Sequence, residues 1–188
     1  MLEVYRAAAD LRRRFEERGW RFCLIGGLAL QRWGEPRETI DVDVTLLTGF
    51  GGEERFVQEI LTWYEPRVSN PIEFALSTRV LLVQAPSGVG LDIALGGMPF
   101  EESTVARATL YEFAPDIWLP TASAEDLIVM KAFASRPKDW VDLEGIMIRQ
   151  EGLLDWPYVE SQLQPLVALK EEPEILARLI ALRQRLSP

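Results

Sequence analysis

Ile25-Gly26-Gly27-Leu28-Ala29-Leu30, followed by Thr39-Ile40-Asp41-Val42-Asp43-Val44-Thr45-Leu46, is the stretch whose reading decides the fold. In its second half Ile40, Val42, Val44 and Leu46 alternate with polar residues, so the spacing predicts a strand with those four on one face and the acids on the other. Asp41 and Asp43 then point the same way, with Cα atoms about 6–7 Å apart along the strand. Two carboxylates so placed can reach a pair of divalent ions spaced roughly 3.5–4 Å apart. The Gly-Gly pair reads as the turn between a buried strand at 21–25 and a short helix at 28–33, stopped by Gly34 and Pro36. Further on, Gly90-Leu91-Asp92-Ile93-Ala94 reads as a strand in which Asp92 faces away from its apolar neighbours. Three carboxylates and a glycine turn in this order point to a metal-dependent phosphoryl-transfer site.

Working outward, residues 2–18 predict an amphipathic helix with Tyr5, Ala8, Leu11 and Phe15 on one face and Gly19 ending it. Phe56, Val57, Ile60, Leu61 and Tyr64 predict a helix over 53–64, closed by Pro66. Strands are expected at 72–75, 79–84 and 89–95, the last two joined as a hairpin through Ala85-Pro86-Ser87-Gly88, with short strands at 107–113 and 117–119. From Ser123 the chain turns helical. Ser123 with Asp126 resembles a capping box opening a helix to about Ser135, Pro137 suits the start of a second helix over 138–150, and Asp155 with Pro157 a third. Ile175, Leu179, Leu182 and Leu186 mark a last amphipathic helix over 174–186. The expectation is an α+β chain, with a mixed sheet flanked by helices in residues 1–120 and a helical region in 121–188 packed on it.

Composition narrows the chemistry. The 188 residues are 48% hydrophobic and include no histidine, which removes Ser-His and Cys-His nucleophilic systems and histidine zinc sites together. Catalysis must then run on carboxylates, metals, lysine or arginine. The single cysteine, Cys23, lies in an apolar run and reads as a buried structural thiol. A formal charge of −9 argues against a broad nonspecific grip on nucleic acid. Arg12-Arg13-Arg14 and the 136–138 segment are locally basic, although an arginine run on a helix is more often a solvated face. Met1-Leu2-Glu3-Val4-Tyr5-Arg6 lacks the basic and apolar regions of a secretory signal, and no apolar run reaches membrane-spanning length, so a cytoplasmic chain with no membrane partner is expected.

The glycine turn, the Asp-Val-Asp strand and the later single Asp together resemble the nucleotidyltransferase superfamily related to DNA polymerase β. The fuller string from Ile25 to Leu30, then Arg37 to Asp43, is similar to the AbiEii-type nucleotidyltransferases, many of them toxins of toxin-antitoxin pairs. A second block carries the same resemblance: 119–131 ending in Met130-Lys131, then Arg136-Pro137-Lys138-Asp139 and Asp142. It covers roughly Phe22 to Gly145 and is weakest between the Asp pair and Asp92. The resemblance implies that Asp41, Asp43 and Asp92 hold two Mg²⁺ ions, with Mn²⁺ as the alternative metal, and that Asp92 also activates the acceptor hydroxyl as a base. It implies further that Gly26 and Gly27 admit the triphosphate to the backbone at a helix N-terminus, with Arg37 and Thr39 as supports. Lys131 matches the nucleotide-contacting lysine and Asp139 an acid near it. Arg136, Lys138 and Asp142 either join the nucleotide site or fasten the helical half onto the sheet.

The implied reaction is transfer of a nucleoside monophosphate from an NTP, ATP included, to an acceptor hydroxyl with release of pyrophosphate. Acceptors open under this reading are an RNA 3′ end, tRNA especially, a protein hydroxyl, or an aminoglycoside-like small molecule, and an antitoxin protein is an expected partner. The competing class is a nucleotide-binding or interaction module without turnover, for which Trp140 and Trp156 offer aromatic contacts. Ordinary core packing is the favoured reading of those two tryptophans.

Overall fold

The computed structural model describes residues 1–186; residues 187 and 188, at the end of the expected 121–188 helical region, lie outside the described residues. The apolar stripe Val4, Ala7, Ala8, Leu11 and Phe15 forms the buried side of helix α1 (Leu2–Glu17). It is followed by β1 (Phe22–Leu24), α2 (Gly26–Trp33), β2 (Asp41–Leu47), α3 (Glu53–Ile60), β3 (Glu65–Pro66), α4 (Pro71–Thr78), β4 (Val80–Gln84), β5 (Gly90–Gly96), α5 (Pro99–Arg107), β6 (Thr109–Ala114) and β7 (Ile117–Thr121). Among the described residues four helices follow: α6 (Ala124–Ala134), α7 (Pro137–Arg149), α8 (Trp156–Lys170) and α9 (Glu174–Leu186). The chain divides into two units. One comprises residues 1–28 and 38–122, the other residues 29–37 and those from Ser123 on.

In the first unit seven strands form one mixed sheet in the order β3-β4-β5-β2-β1-β7-β6. β2 lies at its centre, antiparallel to β1 and parallel to β5, with β4 antiparallel to β5. Val42, Val44 and Leu46 of β2, Leu91, Ile93 and Leu95 of β5, and Leu81 and Val83 of β4 are all buried in one cluster. α1 and α3 supply Leu11, Phe15, Phe56, Val57 and Ile60 to the same cluster. Each such side chain contributes about 1.5–3 kcal/mol by leaving water. With the apolar alternates pinned to that core, the intervening acids must face the other way.

The second unit is helical and is built on Leu127, Ile128, Leu143, Ile146, Val159, Leu163, Ile175 and Leu179, all buried. The expected starts of α6 and α8 are capped by side chains: Ser123 Oγ accepts from Asp126 N at 3.2 Å and Asp155 Oδ1 from Tyr158 N at 3.1 Å. Residues 33–34 of the other segment are held by the end of this unit's α7 and the residue that caps it, because the Gln150 side-chain amide donates to Trp33 O at 3.0 Å and Arg149 to Gly34 O.

Three expectations are corrected. Residues 72–75 are not a strand but the middle of α4, a helix opened by Pro71, because the four residues Ile72-Glu73-Phe74-Ala75 are too few to carry a period that separates the two. Ile40 is 74% exposed, since pairing of β2 with β5 begins only at Asp41. Helix α3 ends at Ile60, and residues 61–64, with Leu61 and Tyr64 of the expected stripe, continue in turns and a bend. Helix α5, whose Glu101 carboxylate accepts the Gly97 and Met98 N–H groups at 2.7 and 2.9 Å, was not expected from the sequence. Arg13 and Arg14 of the arginine run pair with Asp10, and Arg12 with Glu16, on a solvated helix face. Cys23 is fully buried.

Candidate active site

Register places the acids. β2 and β5 run parallel with Asp43 opposite Asp92 and Asp41 opposite Gly90, so the three carboxylates lie on one sheet face across two adjoining strands. Asp41 and Asp92 remain partly open to solvent, with side chains 42% and 32% exposed. Partial burial raises the Asp92 pKa. The nearby Arg67 guanidinium works against that rise, while the charges on Asp43 and Asp41 add to it.

The glycine pair, which opens α2 itself rather than forming a turn ahead of a helix at 28–33, lies against the same acids. Gly26 adopts φ +56°, a left-handed conformation that suits glycine, and a Cβ there would lie 2.1 Å from Asp43 Oδ2. Gly27 N–H donates to that oxygen at 3.3 Å, and a Cβ on Gly27 would lie 2.5 Å from Thr39 Oγ1. Thr39 Oγ1 in turn donates to the Asp41 carbonyl at 3.2 Å. The start of α2 therefore meets the β2 carboxylates edge to edge, and only residues without side chains fit between them.

A residue outside every motif completes this site. Arg67, just after β3, donates from Nη1 to Asp92 Oδ1 at 2.8 Å and lies 4.0 Å from Asp41 Oδ1. Nothing in the sequence around it marks it, because a lone arginine after Pro66 belongs to no periodic pattern. Among the described residues, no three acidic or cysteine side chains are drawn together closely enough to form a ready metal-ligand set.

The second block forms its own cluster in the helical unit. Lys131 Nζ, on α6, donates to Asp139 Oδ1 at 3.1 Å and Asp142 Oδ2 at 2.6 Å, and all three residues are buried. Arg136 Nε donates to Asp139 Oδ2 at 2.6 Å, while Arg37 Nε and Nη2 reach the Asp142 carboxylate at 3.3 and 3.4 Å. Burial raises the Asp139 pKa, but the hydrogen bonds and charges of Arg136 and Lys131 outweigh it and hold the carboxyl below its ordinary range. Lys138 is exposed. Trp140 is buried beneath the Arg178 guanidinium, and Trp156 is half-buried under Arg183.

A mixed sheet whose central parallel strands present acids beside a glycine-led helix defines a nucleotidyltransferase-like fold. It is similar to that of an antigenic nucleotidyltransferase-like protein from Paracoccidioides brasiliensis, with a TM-score of 0.55 and 16% identity over 95% of this chain and 93% of that one. Weaker likenesses are to the lincosamide antibiotic adenylyltransferase LnuA in its lincomycin-bound form (TM-score 0.49, 12% identity, 72% of this chain and 91% of that one). Another is to the antibiotic-resistance factor ANT(2'')-Ia (TM-score 0.43, 19% identity, 98% and 90%). The family model described as nucleotidyl transferase AbiEii toxin, type IV TA system, matches residues 10–156, and the chain belongs to that family. It is a nucleotidyltransferase-family enzyme. No curated protein matches the sequence.

Proposed function

We propose that the protein transfers a nucleoside monophosphate from an NTP such as ATP to a hydroxyl on RNA, releasing pyrophosphate, and acts as the toxin of a toxin-antitoxin pair. The observation that carries the chemistry is the register of β2 on β5, which sets Asp43 beside Asp92 with Asp41 on the same face. The donor set suits a hard divalent cation: three carboxylates, no sulfur or imidazole, and a guanidinium already standing as positive charge between Asp41 and Asp92. Asp41, Asp43 and Asp92 would hold Mg²⁺ or Mn²⁺. When bound, such ions lower the pKa of an attacking hydroxyl and neutralise charge on the leaving pyrophosphate.

The chain's own residues supply position and charge. Asp43 is oriented by the Gly27 N–H and by the strand that carries it, and Asp41 is steadied through its backbone by Thr39. Asp92 takes the proton of the acceptor hydroxyl on a carboxylate oxygen. Gly26 and Gly27 leave backbone open to the phosphates, and the first N–H groups of α2 face negative charge. By resemblance to the family, Lys131, Arg37, Arg136 and Lys138 are read as nucleotide-contacting residues, and within their own unit Asp139 and Asp142 hold Lys131 and Arg37 in fixed directions. Membership of a toxin family supports RNA as acceptor and a cognate antitoxin as partner.

The test is incubation of the full chain with each labelled NTP and Mg²⁺ or Mn²⁺, against total RNA, a protein extract and aminoglycosides in separate arms. Label entering RNA, lost to background in Asp41→Asn and Asp43→Asn, is the expected result. Label entering only protein or drug reassigns the acceptor. Turnover unchanged in both variants removes these carboxylates from the chemistry.

A further inference from the structure

Arg67 is tied to the acid site by more than proximity. Its backbone N–H donates to Leu82 O at 3.0 Å. Leu82 is the register partner of Asp92, and Asp92 that of Asp43, so Arg67, Leu82, Asp92 and Asp43 form one row across neighbouring strands. From that row the guanidinium reaches Asp92 at 2.8 Å and approaches Asp41 at 4.0 Å. Its path crosses Gly90: a Cβ there would lie 2.2 Å from Arg67 Nη1 and 2.4 Å from Asp41 Oδ1. The side chain is 29% exposed, so it has solvent into which it can swing.

We propose that Arg67 is a built-in counter-cation of the acid site. It holds the position between Asp41 and Asp92 in the nucleotide-free protein, competes with the divalent ion for it, and on displacement turns to the polyphosphate of the incoming nucleotide. The inference rests on reading Asp41, Asp43 and Asp92 as metal-binding carboxylates. Arg67 occupies Asp92 Oδ1 and stands beside Asp41 Oδ1, so an ion that takes these two oxygens puts a second cation against the guanidinium and drives it off Asp92. A displaced arginine still anchored through its backbone stays within side-chain reach, and its planar fork of donors matches phosphate as well as carboxylate. Metal and nucleotide should therefore bind with mutual reinforcement, because the nucleotide gives Arg67 a partner to replace the one the metal takes.

Mn²⁺ binding by the full chain, read from the electron paramagnetic resonance signal of free Mn²⁺, tests this without turnover. Titrations with and without a non-hydrolysable ATP analogue would compare wild type, Arg67→Met, Arg67→Lys, Asp41→Asn and the Arg67→Met/Asp41→Asn double variant, each checked for folding by thermal melting. Arg67→Met should bind Mn²⁺ alone roughly tenfold more tightly than wild type, the factor equivalent to about 1.4 kcal/mol. It should also lose most of the gain in Mn²⁺ affinity that the analogue gives wild type. Arg67→Lys, which keeps the charge but not the fork, should fall between the two and decides the matter if Arg67→Met does not fold. Mn²⁺ affinity in the Arg67 variants equal to or below wild type, while Asp41→Asn weakens it, overturns the role of Arg67 alone. Asp41→Asn without effect in either background overturns the metal-site reading and the inference with it.

Discussion

Gly26 concentrates two constraints in one residue. Its φ of +56° would strain any other residue, and its missing Cβ leaves the space that Asp43 Oδ2 occupies. Gly26→Ala should therefore cost about 1–3 kcal/mol through backbone strain and displace the Asp43 carboxylate as well. The expected outcome is a folded protein with a modestly lowered melting temperature and nucleotidyl transfer near background, measured by thermal melting and the labelled-NTP assay side by side. A full loss of folding, or full activity in a folded variant, would contradict the placement of Asp43 against the turn. Asp139 offers a test by pH. Its carboxyl is held below the ordinary aspartate value of about 3.9, so the folded chain binds its proton less readily than the unfolded chain. The stability it adds is fully present above about pH 4 and is lost as pH falls through the lower folded value. Asp139→Asn should cost about 3 kcal/mol at pH 7, the lower end for breaking a buried pair, since Lys131 keeps Asp142. Denaturant unfolding from pH 7 down to pH 2 should show the gap between variant and wild type closing as the pH drops.

Secondary-structure elements were legible in proportion to the length and period of their pattern. β2 was readable because alternation over 41–47 fixes both its type and the side its acids face, and the parallel register with β5 followed from no sequence signal but agrees with it. α6 was readable from its cap: Ser123 accepts the Asp126 N–H and also donates Oγ–H to the Asp126 carboxylate at 2.7 Å. Ser123→Ala should accordingly cost about 1–2 kcal/mol, the upper part of the range for an N-cap, seen as a lower midpoint in chemical denaturation with an unchanged slope. α4 and α5 were missed because each is eight or nine residues long and carries few buried positions, so propensity and period gave no majority. The acids and glycines that the structure brings together as the candidate site belong to local strings and are legible in them. Arg67 could not, since what places it is the pairing of β3, β4 and β5, a long-range property no window of sequence contains.

At the scale of the whole chain, the helical unit is discontinuous: it takes residues 29–37 as well as those from Ser123 on. Within it Leu30 is 1% exposed, Gly34 packs so closely that a Cβ would lie 2.6 Å from Leu30 Cδ1 and 3.0 Å from Ile146 Cγ1, and Gly145 lies against Glu35. The Arg37 to Asp142 ion pair and the Gln150 to Trp33 hydrogen bond fasten the same segment. A fragment ending at residue 122 keeps every strand of the sheet but removes Asp142, Gly145, Ile146 and Gln150, leaving buried apolar groups of 29–37 in water and Arg37 without its carboxylate. Tolerance to truncation follows the burial of what is uncovered, not its position in the sequence. The 1–122 fragment should therefore lack a sharp cooperative melt and aggregate on heating. Co-expression of residues 123–188 as a separate chain should restore a cooperative transition and co-purify with it. Circular dichroism melting and size-exclusion chromatography would read both outcomes. A fragment 1–122 that melts cooperatively by itself would show that the sheet unit does not depend on the helices that hold its inserted segment.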